Sequence, residues 1–216
     1  MYLSLSDTTE KVVSNMDFTL QGITSAFAQM SGWEIFAVIL GMTYVILAAK
    51  ESQWAWPFAF FSTLIYTILF WDGALISSSI LNFYYMAMAI YGFILWKEDE
   101  EGARLSISTL ALKQHILIIA SGLVGSVVLG YLSETYLGAR FAYLDAFVMV
   151  FSGIATWMMA KKVLENWLYW MIIDSTAIVL YFKSGYLATI VLFVLYVVLA
   201  FYGYASWRKR FNADNV

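Results

Sequence analysis

The sequence predicts an all-α membrane protein with seven transmembrane helices, built as two parallel three-helix repeats and a linking helix between them. Three observations predict it. Of the 216 residues, 62% are hydrophobic and only 12% charged, whereas an ordinary soluble domain has about 45–50% apolar and about 25% charged residues. Seven apolar runs follow one another with short polar breaks, each close to the roughly 20 residues that a bilayer crossing needs. The first three runs also match the last three at a fixed offset of 111 positions.

Taken in order, residues 1–32 are too polar to span. Leu20, Ile23, Phe27 and Met30 fall at helical spacing, which suits an external N-terminal segment with an amphipathic helix lying in the interface. The spans then run Trp33–Ala49, Trp54–Phe70, Ala74–Trp96, Leu110–Tyr131, Phe141–Ala160, Trp167–Phe182 and Tyr186–Trp207. Lipid cannot satisfy open backbone groups, and long runs without polar alternation fit helices rather than a barrel. This divides the chain into a first repeat (33–96), a cytoplasmic loop and linking helix (97–140), a second repeat (141–207) and a cytoplasmic tail (208–216). Trp33, Trp54, Trp71, Trp96, Trp167 and Trp207 sit near span ends, where an aromatic belt is expected. Pro57, the only proline, falls in the first turn of its span, where its missing N–H does no harm.

Seven crossings put the termini on opposite sides. Lys50, Lys97, Arg104, Lys113, Lys161, Lys162, Arg208, Lys209 and Arg210 fall on the C-terminal side, against Lys11, Arg140 and Lys183 on the other. The positive-inside rule then makes the C-terminus cytoplasmic and the N-terminus external, in a multi-pass membrane protein.

The repeat rests on residues that seldom coincide by chance. Tyr91-Gly92 with Trp96 falls on Tyr202-Gly203 with Trp207, Trp56 on Trp167, Tyr85 on Tyr196, Ala49-Lys50 on Ala160-Lys161, and Glu34 on Asp145. Three spans plus the linking span make an even number of crossings, so both repeats point the same way about an axis along the membrane normal. Gly122, Gly125 and Gly130 would let the linking helix pack closely. Two bundles of this kind can rock about a site at their interface, which is what a carrier requires.

Other classes are disfavoured by composition. A formal charge of -3 gives no basic face for nucleic acid, and the lack of cysteine removes disulfides and Cys-ligated metals. With His115 as the lone histidine and no His-Glu-x-x-His pattern, no catalytic or metal centre is expected, so an intramembrane enzyme is the weaker alternative. No phosphate-binding Gly-x-x-x-x-Gly-Lys motif is present, and the residues call for no cofactor.

The segment Lys162-Val163-Leu164-Glu165-Asn166-Trp167-Leu168-Tyr169-Trp170-Met171-Ile172-Ile173-Asp174, together with the Tyr-Gly-x-x-x-Trp ends of both repeats, resembles the PnuC family of vitamin transporters. The resemblance covers residues 32–210 and departs at Asp174, where many members have Asn. It implies a 3+1+3 arrangement like that of the SWEET sugar transporters. It also implies uptake of nicotinamide riboside by facilitated diffusion, made one-way by a cytoplasmic kinase, with thiamine as the alternative substrate.

Polar residues within the spans point to the site. Asn166, Trp170, Asp174 and Tyr181 share one helix face, and Asn82 with Tyr85 occupies the middle of the third span. Glu34 and Asp145 open the first and fifth spans, while Trp56 and Trp167 occupy matched places. Each has a plainer alternative: helix-packing hydrogen bonds for Asn82 and Asp174, solvation for Glu34 and Asp145, a belt position for Trp56. Lys and Arg are missing from the spans apart from Lys113 near an end, so a small cationic vitamin would balance the acids, with tryptophan faces to hold its ring. Ion coupling and assembly as a homo-oligomer stay open.

Overall fold

The computed structural model describes residues 16–72, 76–98 and 102–214. Among them are eight helices: α1 (Leu20–Ala28), α2 (Gly32–Ala49), α3 (Ala55–Asp72), α4 (Ile76–Leu95), α5 (Leu112–Leu137), α6 (Ala142–Ala160), α7 (Asn166–Ser184) and α8 (Leu187–Asp214). Four of them, α2, α5, α6 and α8, are long and apolar enough to cross a membrane on length and composition alone. The chain is a multi-pass membrane protein. The helices α3, α4 and α7 have 18, 20 and 19 residues. These helices bury Ser62, Thr67, Asn82, Asn166 and Asp174, placing polar groups inward rather than toward lipid.

Local chemistry sets several boundaries. Ser31 and Glu34 form a capping box at the start of α2: the Glu34 N–H donates to Ser31 Oγ at 3.2 Å and the Ser31 N–H to the Glu34 carboxylate at 2.6 Å. α5 and α7 end on Gly138 (φ 61°) and Gly185 (φ 83°), left-handed positions that favour glycine. The sequence offset of 111 recurs in the element bounds. The ends Ala49 and Ala160, and the starts Ala55 with Asn166 and Ile76 with Leu187, are separated by that same interval.

The helices pack in sequence order within each triplet, α2–α3–α4 and α6–α7–α8. Between triplets the contacts are crosswise, α2 against α8 and α4 against α6. Among the described helices α5 packs along α6, and its His115 also reaches Tyr169 of α7. It meets α6 through glycine notches: a Cβ on Gly122 would lie 2.7 Å from the Phe151 ring, and one on Gly130 2.6 Å from the Tyr143 ring. α1, the short helix before the first span, buries none of its residues and packs on α8, while Phe18 just before it stacks on Phe182 of α7 at 6.2 Å between ring centroids. Residues 1–15 of the expected N-terminal segment, and Asp99–Glu101 of the acidic loop, lie outside the described residues.

The tryptophans depart from the expected belt. Trp33 and Trp54 are indeed exposed, but Trp96, Trp167 and Trp207 are fully buried, as is Trp56. The four buried rings form a chain at the end where α2 and α6 finish, here called the tryptophan end. Trp56 meets Trp96 edge-on at 5.2 Å, Trp96 tilts against Trp207 at 5.9 Å, and Trp207 meets Trp167 edge-on at 5.5 Å. Glycine makes room for the outer two. A Cβ on Gly92 would fall 2.3 Å from Trp56, and one on Gly203 2.6 Å from Trp167. An interfacial tryptophan and a packed one look the same in sequence, because both sit at a span end; only the facing glycine, one helix away, distinguishes them. His115 likewise does not simply reach toward the interface. Its Nδ1 lies 3.0 Å from the Tyr169 hydroxyl, and its Nε2 is 4.0 Å from Glu165.

Candidate functional site

Where the two triplets meet at mid-depth, the seam is polar. Asp174 sits near the middle of α7, eight residues from its start, which places it about 12 Å along the helix. It is 3% exposed. Tyr85 of α4 and Tyr196 of α8 both lie within electrostatic reach of its carboxylate. These two tyrosines are equivalent positions of the repeat. Each crosses toward the first helix of the opposite triplet: Tyr85 hydrogen-bonds Ser152 of α6, and the Tyr196 hydroxyl stands 3.1 Å from the position a Gly41 Cβ would take on α2. Ser152 and Gly41 are also repeat equivalents. Further phenols extend the ring, with Tyr44 near Tyr85, Tyr66 near Tyr196, and Tyr181 near both Tyr66 and Tyr85. Trp170, one turn before Asp174, packs against both the tryptophan-end core and the cluster of Phe151, Ala155 and Ile173.

The predicted residues therefore fall into three places. Asn82, Tyr85, Trp170 and Asp174 belong to the middle of the molecule, Asn82 being buried one turn before Tyr85. Trp56 and Asn166 belong to the tryptophan end. Asn166 is wholly buried and its amide donates to the Val163 carbonyl at 2.6 Å, whereas its Oδ1 and the indole N–H groups of Trp56 and Trp167 have no hydrogen-bond partner among the described residues. Glu34 and Asp145 open their helices at the opposite end. Glu34 is engaged in its capping box; Asp145, its repeat equivalent, is exposed in the first turn of α6, where Phe141 at the helix start provides no side-chain cap. Sequence reasoning passed over Tyr44, Tyr66, Ser152 and Tyr196. The offset that had already paired Tyr85 with Tyr196 was the signal available for the last of these.

Two surface grooves lie apart from this seam. One of about 360 Å³ is lined by residues of α4, α5 and α6 including Tyr84, Ile118 and Trp157. The other, about 550 Å³, is lined by Leu144 of α6 and by α7 residues from Met171 to Val179. Neither is lined by Asn82 or Asp174. No group of three or more His, Asp or Glu among the described residues could hold a metal ion. A buried carboxylate ringed by hydroxyls, with an indole one turn away, can instead hold a cation or a sugar hydroxyl by hydrogen bonds and a flat ring by stacking.

Comparison with known proteins decides the family. The model for the family described as nicotinamide mononucleotide transporter matches residues 31–209. This chain belongs to the PnuC family. It is 28% identical over 181 residues to the riboflavin/roseoflavin transporter RibM of Streptomyces davaonensis, covering 82% of this chain and 84% of that one. It is 26% identical over 204 residues to the nicotinamide riboside transporter PnuC of Neisseria mucosa, with 88% and 77% covered. The Escherichia coli nicotinamide riboside transporter PnuC is 24% identical over 204 residues, with 82% and 85% covered. The fold matches the crystal structure of the vitamin B3 transporter PnuC with a TM-score of 0.70 at 22% identity, over 99% of this chain and 94% of that one. Vitamin transport is the activity the family membership supports.

Proposed function

We propose that this chain carries nicotinamide riboside inward across a bacterial cytoplasmic membrane by facilitated diffusion, with a cytoplasmic kinase trapping the product as its phosphate. The observation that carries this reading is Asp174. It is a buried acid at mid-depth between the triplets, flanked by one phenol from each, in a region where the chain places no lysine or arginine. A fixed positive charge on an aromatic ring answers that arrangement: the carboxylate balances the charge, Trp170 offers a face, and Asn82 with the tyrosines can bind ribose hydroxyls. Crosswise packing of α2 on α8 and α4 on α6 supports a 3+1+3 architecture in which the triplets rock about this seam, with α5 riding on the second triplet. The excess of basic residues at the tryptophan end supports a cytoplasmic C-terminus.

Thiamine, also a cationic ring, is the alternative within the same logic. The 28% identity to RibM favours a second reading, in which the neutral isoalloxazine of riboflavin is the cargo. Uptake into proteoliposomes separates these. Saturable uptake of labelled nicotinamide riboside, competed weakly by thiamine and riboflavin, is the expected result. Asp174→Asn should weaken nicotinamide riboside binding in calorimetry at least tenfold, about 1.4 kcal/mol. Riboflavin uptake without riboside uptake would overturn the first reading in favour of the second.

A further inference from the structure

Glu51 and Lys162 are the same position of the two repeats, 111 residues apart, and their side chains form an ion pair at 2.9 Å. Two points related by a two-fold axis meet only beside that axis. A path between two parallel triplets follows the same axis, so this pair stands across it at the tryptophan end. We propose that the Glu51–Lys162 pair is the latch closing the cytoplasmic end of the transport path, and that it parts in every cycle. The inference rests on the carrier reading above.

Three features set the pair apart from an ordinary surface salt bridge. Lys162 is buried, lying 4.9 Å over the Trp96 ring, while Glu51 also binds Arg210 of α8 at 2.9 Å. Arg210 in addition donates to the Lys50 carbonyl at 2.9 Å. Each of these contacts runs between one triplet and the other. Both residues adopt left-handed backbone, φ 57° for Glu51 and 51° for Lys162, at a helix end where glycine is the usual occupant. Side chains tolerate that conformation only when their surroundings hold them, and such positions gather at working parts of proteins. Finally, the indoles beneath the pair repeat the crossing. Trp96 Nε1 donates to the Ala160 carbonyl and Trp207 Nε1 to the Ala48 carbonyl, each at 3.0 Å. Opening this end therefore breaks symmetric contacts together. The Lys162 side is anchored, because the Ser108 N–H donates to the Lys162 carbonyl at 2.9 Å and the Leu164 N–H to Ser108 at 2.8 Å. Glu51 is the moving half.

The chain has no cysteine, so introduced thiols are unique. In the double variant E51C/K162C, a short reversible thiol cross-linker should lower nicotinamide riboside uptake into proteoliposomes at least tenfold, with recovery on adding reductant. Binding from the external side should persist in the cross-linked protein, which a merely structural staple would not predict. In a second arm, a thiol introduced as A48C lies buried under the pair. Adding E51Q should raise its labelling by a charged maleimide, applied from the C-terminal side, at least fivefold over A48C alone. Full uptake by the cross-linked protein, or unchanged labelling with E51Q, overturns the latch. Failure of the unmodified protein to carry any of the vitamins overturns the carrier reading instead.

Discussion

The two triplets share a backbone plan but differ at the positions that meet across the axis. At the tryptophan end the shared elements are mirrored: Trp56 on Gly92 and Trp167 on Gly203, Trp96 reaching Ala160 and Trp207 reaching Ala48. At mid-depth the tyrosines are mirrored as well, yet what they face is not. Thr63 of the first triplet stands where the second has Asp174, and Gly41 where the second has Ser152. Duplication thus kept the interlocking aromatic frame, whose geometry serves both halves equally. The polar residues differ, which suits the proposed carrier, since one ligand near the axis would need only one carboxylate. A second buried acid there would add like-charge repulsion and a further desolvation cost.

The mirrored frame can be broken from either side, and equal effects on the two sides would sharpen the comparison. The largest change is expected for Gly92→Ala and Gly203→Ala. Each new methyl would overlap a fully buried indole that has no room to retreat, so each should lose about 2–3 kcal/mol of stability, read as a drop in the thermal midpoint of the detergent-solubilised protein. A tolerant Gly203 beside an intolerant Gly92 would show that the frame is not shared. Next come Trp96→Phe and Trp207→Phe, which delete the indole donors to Ala160 and Ala48. About 1–2 kcal/mol each is expected, and nearly the same for both. The smallest effect tests where symmetry already fails. Ser31→Ala removes the capping box of α2 and should lose about 1 kcal/mol. No matching loss should follow substitution at Phe141, at the corresponding end of α6, through capping, since that side chain makes no cap hydrogen bond.

Much of this was legible in the sequence. The seven apolar runs coincide with α2 to α8 within two residues at most ends, because a continuous hydrophobic stretch leaves the backbone no option but a helix in lipid. α5 and α8 continue six and seven residues past the expected Tyr131 and Trp207, since hydrophobicity says nothing of where a polar extension stops. The repeat was legible through Trp, Gly and charge. What could not be read was the direction of each side chain. Trp96, Trp167 and Trp207 were expected at the interface and are internal; Lys162, counted only as a basic residue of the C-terminal side, is buried against Glu51. In each case the deciding partner lies far along the chain or on another helix face. The sequence by itself determined helix number, most helix bounds and the internal duplication, since these follow from local hydrophobicity and its recurrence. Only the tertiary structure decided which equivalent residues meet. The approach of one triplet to the other converts Glu51 and Lys162 from two unrelated loop charges into a pair, and brings Tyr85 and Tyr196 within electrostatic reach of Asp174.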